Sequence, residues 1–317
     1  MADPQIEEAK NLTQPITDNY GRPVKSLRIS LTQRCDFNCF FCHQEGEHSS
    51  GNELTLEELK LIAKIASEHG VKYIKLTGGE PLLREDILDI VREIKPFFDE
   101  ISMTTNASRL KEYACLLKEA GLSRVNISLH SLNPIRFKEI TGVDRRDVVD
   151  LGIREAIRCG LTPVKLNMVV MRGVNHDEIE DLIKYSRETG AILQLIEFQE
   201  LEKGKEYYDN LHYDLVPLEE TLKERSDRII EREMHRRKIY FLKNGAQVEV
   251  VRPMHNSTFC KYCTRMRVTS DGEFKPCLMR NDNHVPFALQ LREGASYTKV
   301  VEAFKEAVRR REPYWKE

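Results

Sequence analysis

Residues 26–42 read Ser-Leu-Arg-Ile-Ser-Leu-Thr-Gln-Arg-Cys-Asp-Phe-Asn-Cys-Phe-Phe-Cys, an apolar-alternating run that leads directly into three cysteines. Alternation of period two marks a strand, and the loop after it carries Cys35, Cys39 and Cys42 at C-x3-C-x2-C spacing. Three thiolates on one short loop cannot complete a structural zinc site, which takes four protein ligands. They can hold three corners of a 4Fe–4S cluster and leave the fourth iron open to a ligand that is not protein. An open iron is where chemistry happens.

A second trio lies far downstream, Cys260-Lys-Tyr-Cys263 and then Cys277. The residues between them read as a strand, an Asp271-Gly272 turn and a second strand. A two-residue turn there pairs Ser270 with Glu273 and sets Cys277 opposite Met266, so the trio can share one centre. The competing reading is a zinc ribbon completed by His255 or His284, although both lie outside the tight ligand spacings of zinc folds. The last two of the eight cysteines, Cys115 and Cys159, fall on apolar positions of predicted helices and read as buried core thiols.

Cysteines kept for metal rather than for disulfides point to a reducing cytosol. The opening Met-Ala-Asp-Pro-Gln-Ile-Glu-Glu is acidic and polar, unlike a secretory or transit segment, and no apolar run has the length to cross a membrane. The expected location is the cytoplasm. A net charge of −2 provides no general basic field for nucleic acid, so anion binding must be local. At 317 residues the chain can bury one large domain and an appendage.

Strand-like runs at 26–31, 72–76, 100–104, 124–129, 163–170 and 192–198 alternate with helical patterns at 55–69, 85–97, 109–120, 147–159 and 176–189. Six βα units in series predict an α/β fold, a parallel sheet rolled into a partial (β/α)6 TIM-like barrel. The expected organisation is an N-terminal segment 1–24, a barrel 25–236 and a smaller C-terminal α+β lobe 237–317. Residues 200–236 read as a charge-dense connection with a short helix after Pro217.

Strand parity carries a further message. Arg28 and Ser30 alternate with Leu27 and Ile29, Asn126 and Ser128 with Val125 and Ile127, and Lys165 and Asn167 with Val164 and Leu166. One sheet face is therefore apolar and takes the helices, and the other is polar and lines a lumen. After the second strand comes Thr77-Gly78-Gly79-Glu80-Pro81, where two glycines let backbone approach a ligand and Glu80 could accept from an ammonium. Arg265 and Arg267 share one face of the downstream strand, with Met266 and Val268 on the other. Two arginine forks beside Arg28, Lys75 and Lys165 suit phosphates. A solvated strand face is the bland alternative.

These motifs resemble the radical S-adenosylmethionine (SAM) superfamily, whose signature is this cysteine spacing with an aromatic where Phe41 stands. The runs 21–23, 26–32, 76–84, 104–106 and 124–129, with the C-x2-C-x-R-x-R-V-T-x-D-G-x-F-x-P-C-L run from Cys260, are similar to archaeal members of the GTP 3',8-cyclase family of molybdenum-cofactor biosynthesis. The resemblance implies two 4Fe–4S clusters, one with SAM on Cys35, Cys39 and Cys42 and one with substrate on Cys260, Cys263 and Cys277. It implies SAM contacts at Phe41, Gly78, Gly79, Glu80, Ser128 and Gln199. It also implies GTP contacts at Arg28, Lys75, Thr104, Lys165, Arg265, Met266 and Arg267.

No side chain is assigned as catalytic, because the implied mechanism is borne by SAM. Its reductive cleavage gives a 5'-deoxyadenosyl radical that takes the ribose 3' hydrogen of GTP, and the sugar radical closes on guanine carbon 8 to give 3',8-cyclo-7,8-dihydro-GTP. The implied partners are a one-electron donor of ferredoxin or flavodoxin type and the downstream cyclic pyranopterin monophosphate synthase, with a homodimer left open. The chain departs from the bacterial pattern at Gln194 (an arginine there), at Gln199 (a methionine), at His130 (an aspartate) and in its tail, Arg-Glu-Pro-Tyr-Trp-Lys-Glu rather than one ending Gly-Gly. Rival readings are another two-cluster radical SAM enzyme acting on a peptide or nucleoside, and a non-catalytic zinc protein.

Overall fold

The computed structural model describes residues 14–47 and 52–316. Strands β1 (Ser26–Ser30), β2 (Tyr73–Thr77), β3 (Glu100–Thr105), β4 (Arg124–Ser128), β5 (Lys165–Val170) and β6 (Ile192–Glu197) pair side by side in that order, all parallel. Between them run α1 (Leu56–Glu68), α2 (Ile87–Ile94), α3 (Leu110–Ala120), α4 (Pro134–Thr141), α5 (Arg146–Arg158) and α6 (Ile179–Thr189). Local chemistry sets their ends. Thr55 and Glu58 close a capping box at the start of α1, and Gly121 ends α3 in the left-handed conformation that glycine adopts without a Cβ clash.

Helix α4 has no counterpart in the sequence pattern. Pro134 sits in the first turn, where its missing N–H costs nothing, and the Asn133 side chain accepts from Ile135 N and Arg136 N.

The C-terminal strands do not form a sheet of their own. After α7 (Val216–Glu224) come β7 (Ser226–Glu231), β8 (Lys238–Leu242), β9 (Gln247–Val251), β10 (Arg265–Val268), β11 (Glu273–Lys275) and β12 (Val285–Pro286), then α8 (Tyr297–Arg309). Strand β9 extends the sheet in parallel beyond β6, and β10 extends it in parallel beyond β1. The sheet order is β12-β11-β10-β1-β2-β3-β4-β5-β6-β9-β8-β7, so the six expected parallel strands are flanked by two more. Strand β7 falls in the stretch whose charge density suggests a connection; its sequence is Ser-Asp-Arg-Ile-Ile-Glu, and the strand is almost wholly exposed.

The apolar parity holds. Leu27, Ile29, Ile74, Leu76, Val125, Ile127, Leu166, Leu193, Val248, Met266 and Val268 are all buried in one core with the helices. The expectation for two cysteines fails. Cys115 and Cys159 are half-buried rather than core thiols, and a disulfide joins them from α3 to the end of α5, with Cα atoms 5.0 Å apart. Helical periodicity shows which face a thiol occupies but not what faces it, so cysteine usage no longer argues for a reducing compartment. No helix among the described residues is long and apolar enough to cross a membrane.

Candidate active site

The loop from β1 presents Cys35, Cys39 and Cys42 as free thiols. Burial pushes Cys35 up to about 11 and Cys39 up to about 12, and the sulfurs raise one another further by mutual repulsion. Three thiolates so placed need a positive group among them, and an iron–sulfur cluster supplies it. The glycine turn after β2 is the brace of this loop. A Cβ on Gly78 would lie 2.5 Å from Thr32 O, and one on Gly79 would lie 2.2 Å from Arg34 O. Gly79 N and Glu80 N donate to those same two carbonyls at 2.6 and 2.8 Å. The close backbone approach is thus to the thiol loop itself.

Glu80 is fully buried, and burial pushes its carboxyl up to about 7. Its oxygens accept from Leu82 N, Thr105 Oγ1 and Asn106 N at 2.9, 2.8 and 2.6 Å. Asn106 in turn donates to Asp36 and approaches Cys35 Sγ at 3.8 Å. In this arrangement Glu80 ties the end of β3 to the thiol loop rather than standing free for an ammonium.

Phe41 packs edge-on against His130 (ring centroids 5.0 Å apart) and beside Phe198 (6.2 Å). Burial pushes His130 down to about 4, so it is neutral near pH 7, and its Nδ1 accepts from Val169 N. Ser128 ends β4 opposite Asn167. The buried Oε1 of Gln199 has no hydrogen-bond partner among the described residues.

The inner face gathers cations through strand register. Arg28 pairs in register with Arg267 on one side and Lys75 on the other; Thr104 lies opposite Asn126, and Asn126 opposite Lys165. Arg28 and Arg267 share the carboxylate of Glu45, with Arg267 Nη1 at 2.8 Å. Lys165 pairs with Glu249, which Arg237 and Arg232 also approach at 3.3 and 3.7 Å. Burial would raise both carboxyls, but the surrounding cations outweigh it and hold Glu45 and Glu249 near 2.

Lys75 and Arg265 are different. Lys75 Nζ donates to Asn126 Oδ1 at 3.0 Å, and the Arg265 guanidinium meets Met234 Sδ at 3.8 Å. Burial, then neighbouring cations, pulls both well below their ordinary values. Arg265 Nε and Arg28 Nε are buried without partners. Leaving charge unneutralised in the interior is costly, so the face is built to receive an anion.

Of the second trio, Cys260 and Cys263 lie where β9 crosses to β10, and Cys277 follows β11. Burial raises Cys260 and Cys277, whereas Arg311, Arg265 and Arg22 outweigh burial and lower Cys263. Arg311 is 1% exposed and donates to Cys263 O at 2.6 Å and Arg22 O at 2.9 Å. The tail folds back on this centre, with Trp315 N donating to Cys260 Sγ at 3.5 Å. A zinc ribbon fits poorly. Both ring nitrogens of His284 are engaged, Nδ1 with Glu273 and Nε2 with Lys275, and His255 packs on Trp315 at 4.2 Å.

Two expectations for this hairpin need correction. Arg267 lies opposite Lys275 and Val268 opposite Phe274, so extension of the register sets Cys277 opposite Arg265, not Met266. The turn is one residue longer than assumed, because Thr269 pairs with Glu273 and Gly272 takes the left-handed position (φ 92°). Met266 is 0% exposed in the core, so its side chain is not on the inner face with its two arginine neighbours. Met266→Leu, a volume-conserving swap, should cost under about 1.5 kcal/mol and leave the GTP affinity unchanged. Calorimetry beside a thermal melt checks this.

Sequence reasoning missed Arg124, Arg232, Arg237, Glu45 and Glu249 as members of this face. Arg124 was visible in the parity of β4, two residues before Asn126. Glu249 and the two arginines carried no local signal, because the strand that seats Glu249 joins β6 from far along the chain.

The radical SAM superfamily profile matches residues 29–186, and the Molybdenum Cofactor Synthesis C profile matches residues 191–317. The chain is 53% identical over 305 residues to the probable GTP 3',8-cyclase of Thermococcus kodakarensis, covering 94% of this chain and 99% of that one. It is 47% identical over 303 residues to the one from Methanothermobacter thermautotrophicus, covering 95% and 99%. The chain belongs to the GTP 3',8-cyclase family. Among solved structures, this family member shares its fold with Streptococcus suis SuiB (TM-score 0.64, 18% identity, 93% of this chain and 68% of that one). It also shares it with anSMEcpe with bound AdoMet (TM-score 0.59, 16% identity, 87% and 82%). Those likenesses establish the partial-barrel fold with its C-terminal extension.

Proposed function

We propose that this chain converts GTP to 3',8-cyclo-7,8-dihydro-GTP as a radical SAM lyase, the first step of molybdenum-cofactor biosynthesis. The observation that carries the reading is one inner face, rich in cations, with a set of three free thiols on the loop leaving β1 and another beside β10. Cys35, Cys39 and Cys42 would hold the cluster that binds SAM, and Cys260, Cys263 and Cys277 the cluster that faces substrate. When bound, the first cluster and SAM supply a carbon-centred radical.

The protein's share is placement and exclusion of water. Arg28, Lys75, Arg265 and Arg267 would take the phosphates, with Lys165 and Thr104 across the sheet. Gln199 and Ser128 would meet SAM, and Phe41 with Phe198 forms the apolar wall beside it. Gly78, Gly79 and Glu80 would act chiefly by fixing the thiol loop. Lys75 and Arg265, the cations of this set without a carboxylate partner among the described residues, favour a nucleoside triphosphate over a peptide. Ferredoxin- or flavodoxin-type reduction, a cytoplasmic location and delivery of product to the cyclic pyranopterin monophosphate synthase complete the reading.

The test is anaerobic turnover with SAM, reductant and GTP, with mass detection of the cyclic product. Its absence despite two loaded clusters, with a peptide stimulating SAM cleavage instead, would favour the rival two-cluster enzyme. Cys277→Ala should keep a substantial part of SAM cleavage yet lose GTP cyclisation, since the two trios lie on separate elements. Equal loss of both activities would mean a single structural unit. Quantifying 5'-deoxyadenosine and cyclic product in one reaction decides it.

A further inference from the structure

Two carboxylates stand among the cations of the inner face, and they are anchored differently. Glu249 is fully buried on β9, in regular strand backbone, and is shared by Lys165, Arg232 and Arg237. It belongs to the scaffold.

Glu45 lies on a turn three residues beyond Cys42, in which Gln44, Glu45 and Gly46 all have left-handed backbone (φ 46°, 55° and 68°). Two consecutive non-glycine residues in that region are strained, so side-chain contacts must hold them there. The Glu45 carboxylate supplies such contacts. One oxygen accepts from Arg28 Nη2 and, at 3.1 Å, from Thr77 Oγ1; the other accepts from Arg267 Nη1 at 2.8 Å. An anion with its oxygens spread over two guanidiniums reproduces the way arginine pairs hold a phosphate.

We infer that Glu45 is a resident substitute for a substrate phosphate. It keeps Arg28 and Arg267 ordered until a polyanion displaces it, and so makes the site selective for nucleoside triphosphates. The inference rests on the reading of Arg28 and Arg267 as GTP contacts. A carboxylate offers one negative charge and two oxygens, whereas a terminal phosphate offers more of both and wins the exchange. A neutral nucleoside gains nothing from the pair and leaves Glu45 in place. Because this carboxylate is one of the turn's anchors, beside Lys275 Nζ on Gly46 O at 2.8 Å and His43 Nδ1 on Glu45 N at 3.1 Å, its release loosens the turn directly after the third thiol of the first trio. Glu47 stays hooked to Ser270 N and Oγ at 3.0 Å, so the loosening is confined to the turn.

The test is calorimetric titration of GTP and guanosine into protein with both clusters loaded, for wild type, Glu45→Gln and Arg267→Ala. Glu45→Gln should bind GTP about tenfold more tightly with guanosine unchanged, and Arg267→Ala should bind GTP about tenfold more weakly. If Arg267→Ala weakens GTP binding but Glu45→Gln is equal to wild type or weaker, Glu45 is a supporting counter-ion. The inference then falls while the arginine reading stands. If Arg267→Ala binds GTP like wild type, the arginine reading itself falls and the inference with it. Should Glu45→Gln fail to fold, hydrogen exchange on wild type decides. The Gly46 and Glu47 amides, which donate to His43 O and Gln44 O, should exchange severalfold faster with GTP bound. Unchanged or slower exchange overturns the inference.

Discussion

Cys39→Ala should abolish reductive cleavage of SAM, with no 5'-deoxyadenosine above background, while the protein still folds. The three thiols stand on one loop, and the remaining free cysteines among the described residues belong to the second trio, which precedes β10 and follows β11. The loop offers no spare sulfur. Its conformation, however, does not depend on the cluster alone. Glu80, Gly79 and Asn106 hold it through hydrogen bonds of 2.6–2.8 Å to backbone and to Asp36. The variant should therefore keep its melting behaviour in the metal-free state and lose iron from the first centre only. Wild-type rates of 5'-deoxyadenosine formation from this variant would remove the trio from the chemistry.

Arg265→Ala should separate binding from stability. Arg265 lies beside Arg267, Arg28 and Arg237 with its Nε buried, and no carboxylate among the described residues pairs with it. In the ligand-free protein it costs desolvation without a matching carboxylate, so its removal should leave stability unchanged or raise it. In the complex, a charge-assisted bond to phosphate is worth about 1.5–3 kcal/mol. Truncation should therefore weaken GTP binding at least about tenfold, with SAM binding intact. Arg265→Lys should recover part of this, since an ammonium cannot reproduce a planar fork. Calorimetry on the three proteins, with melts alongside, reads both quantities. Equal GTP affinities would return Arg265 and its strand to a structural role.

The parts of this account that were legible in the sequence share one property: they are local. Period-two alternation located β1 to β6 because each strand has one face on helices and one on the inner cavity. The cysteine spacings located both thiol sets because their ligands are close in sequence. What the sequence hid depends on partners that meet only in the fold. Cys115 and Cys159 each looked like a core thiol until α3 and α5 brought them together. The register of β10 and β11 turned on whether the loop held two residues or three, and one residue decides what Cys277 faces. Met266, whose parity sets it opposite its arginine neighbours, is buried in the core. Glu249 entered the site because β9 joins β6 from far along the chain. The sequence offers Gly78 and Gly79 to a ligand, whereas the thiol loop's own backbone already requires both.

The central claim is that the radical made from SAM takes hydrogen from the ribose of a GTP held on the inner face. A single-turnover reaction with GTP carrying deuterium at the ribose 3' position tests it most directly. The account predicts one deuterium in the 5'-deoxyadenosine and a product with the mass of 3',8-cyclo-7,8-dihydro-GTP. 5'-Deoxyadenosine free of deuterium, formed at the same rate with or without GTP, would contradict it.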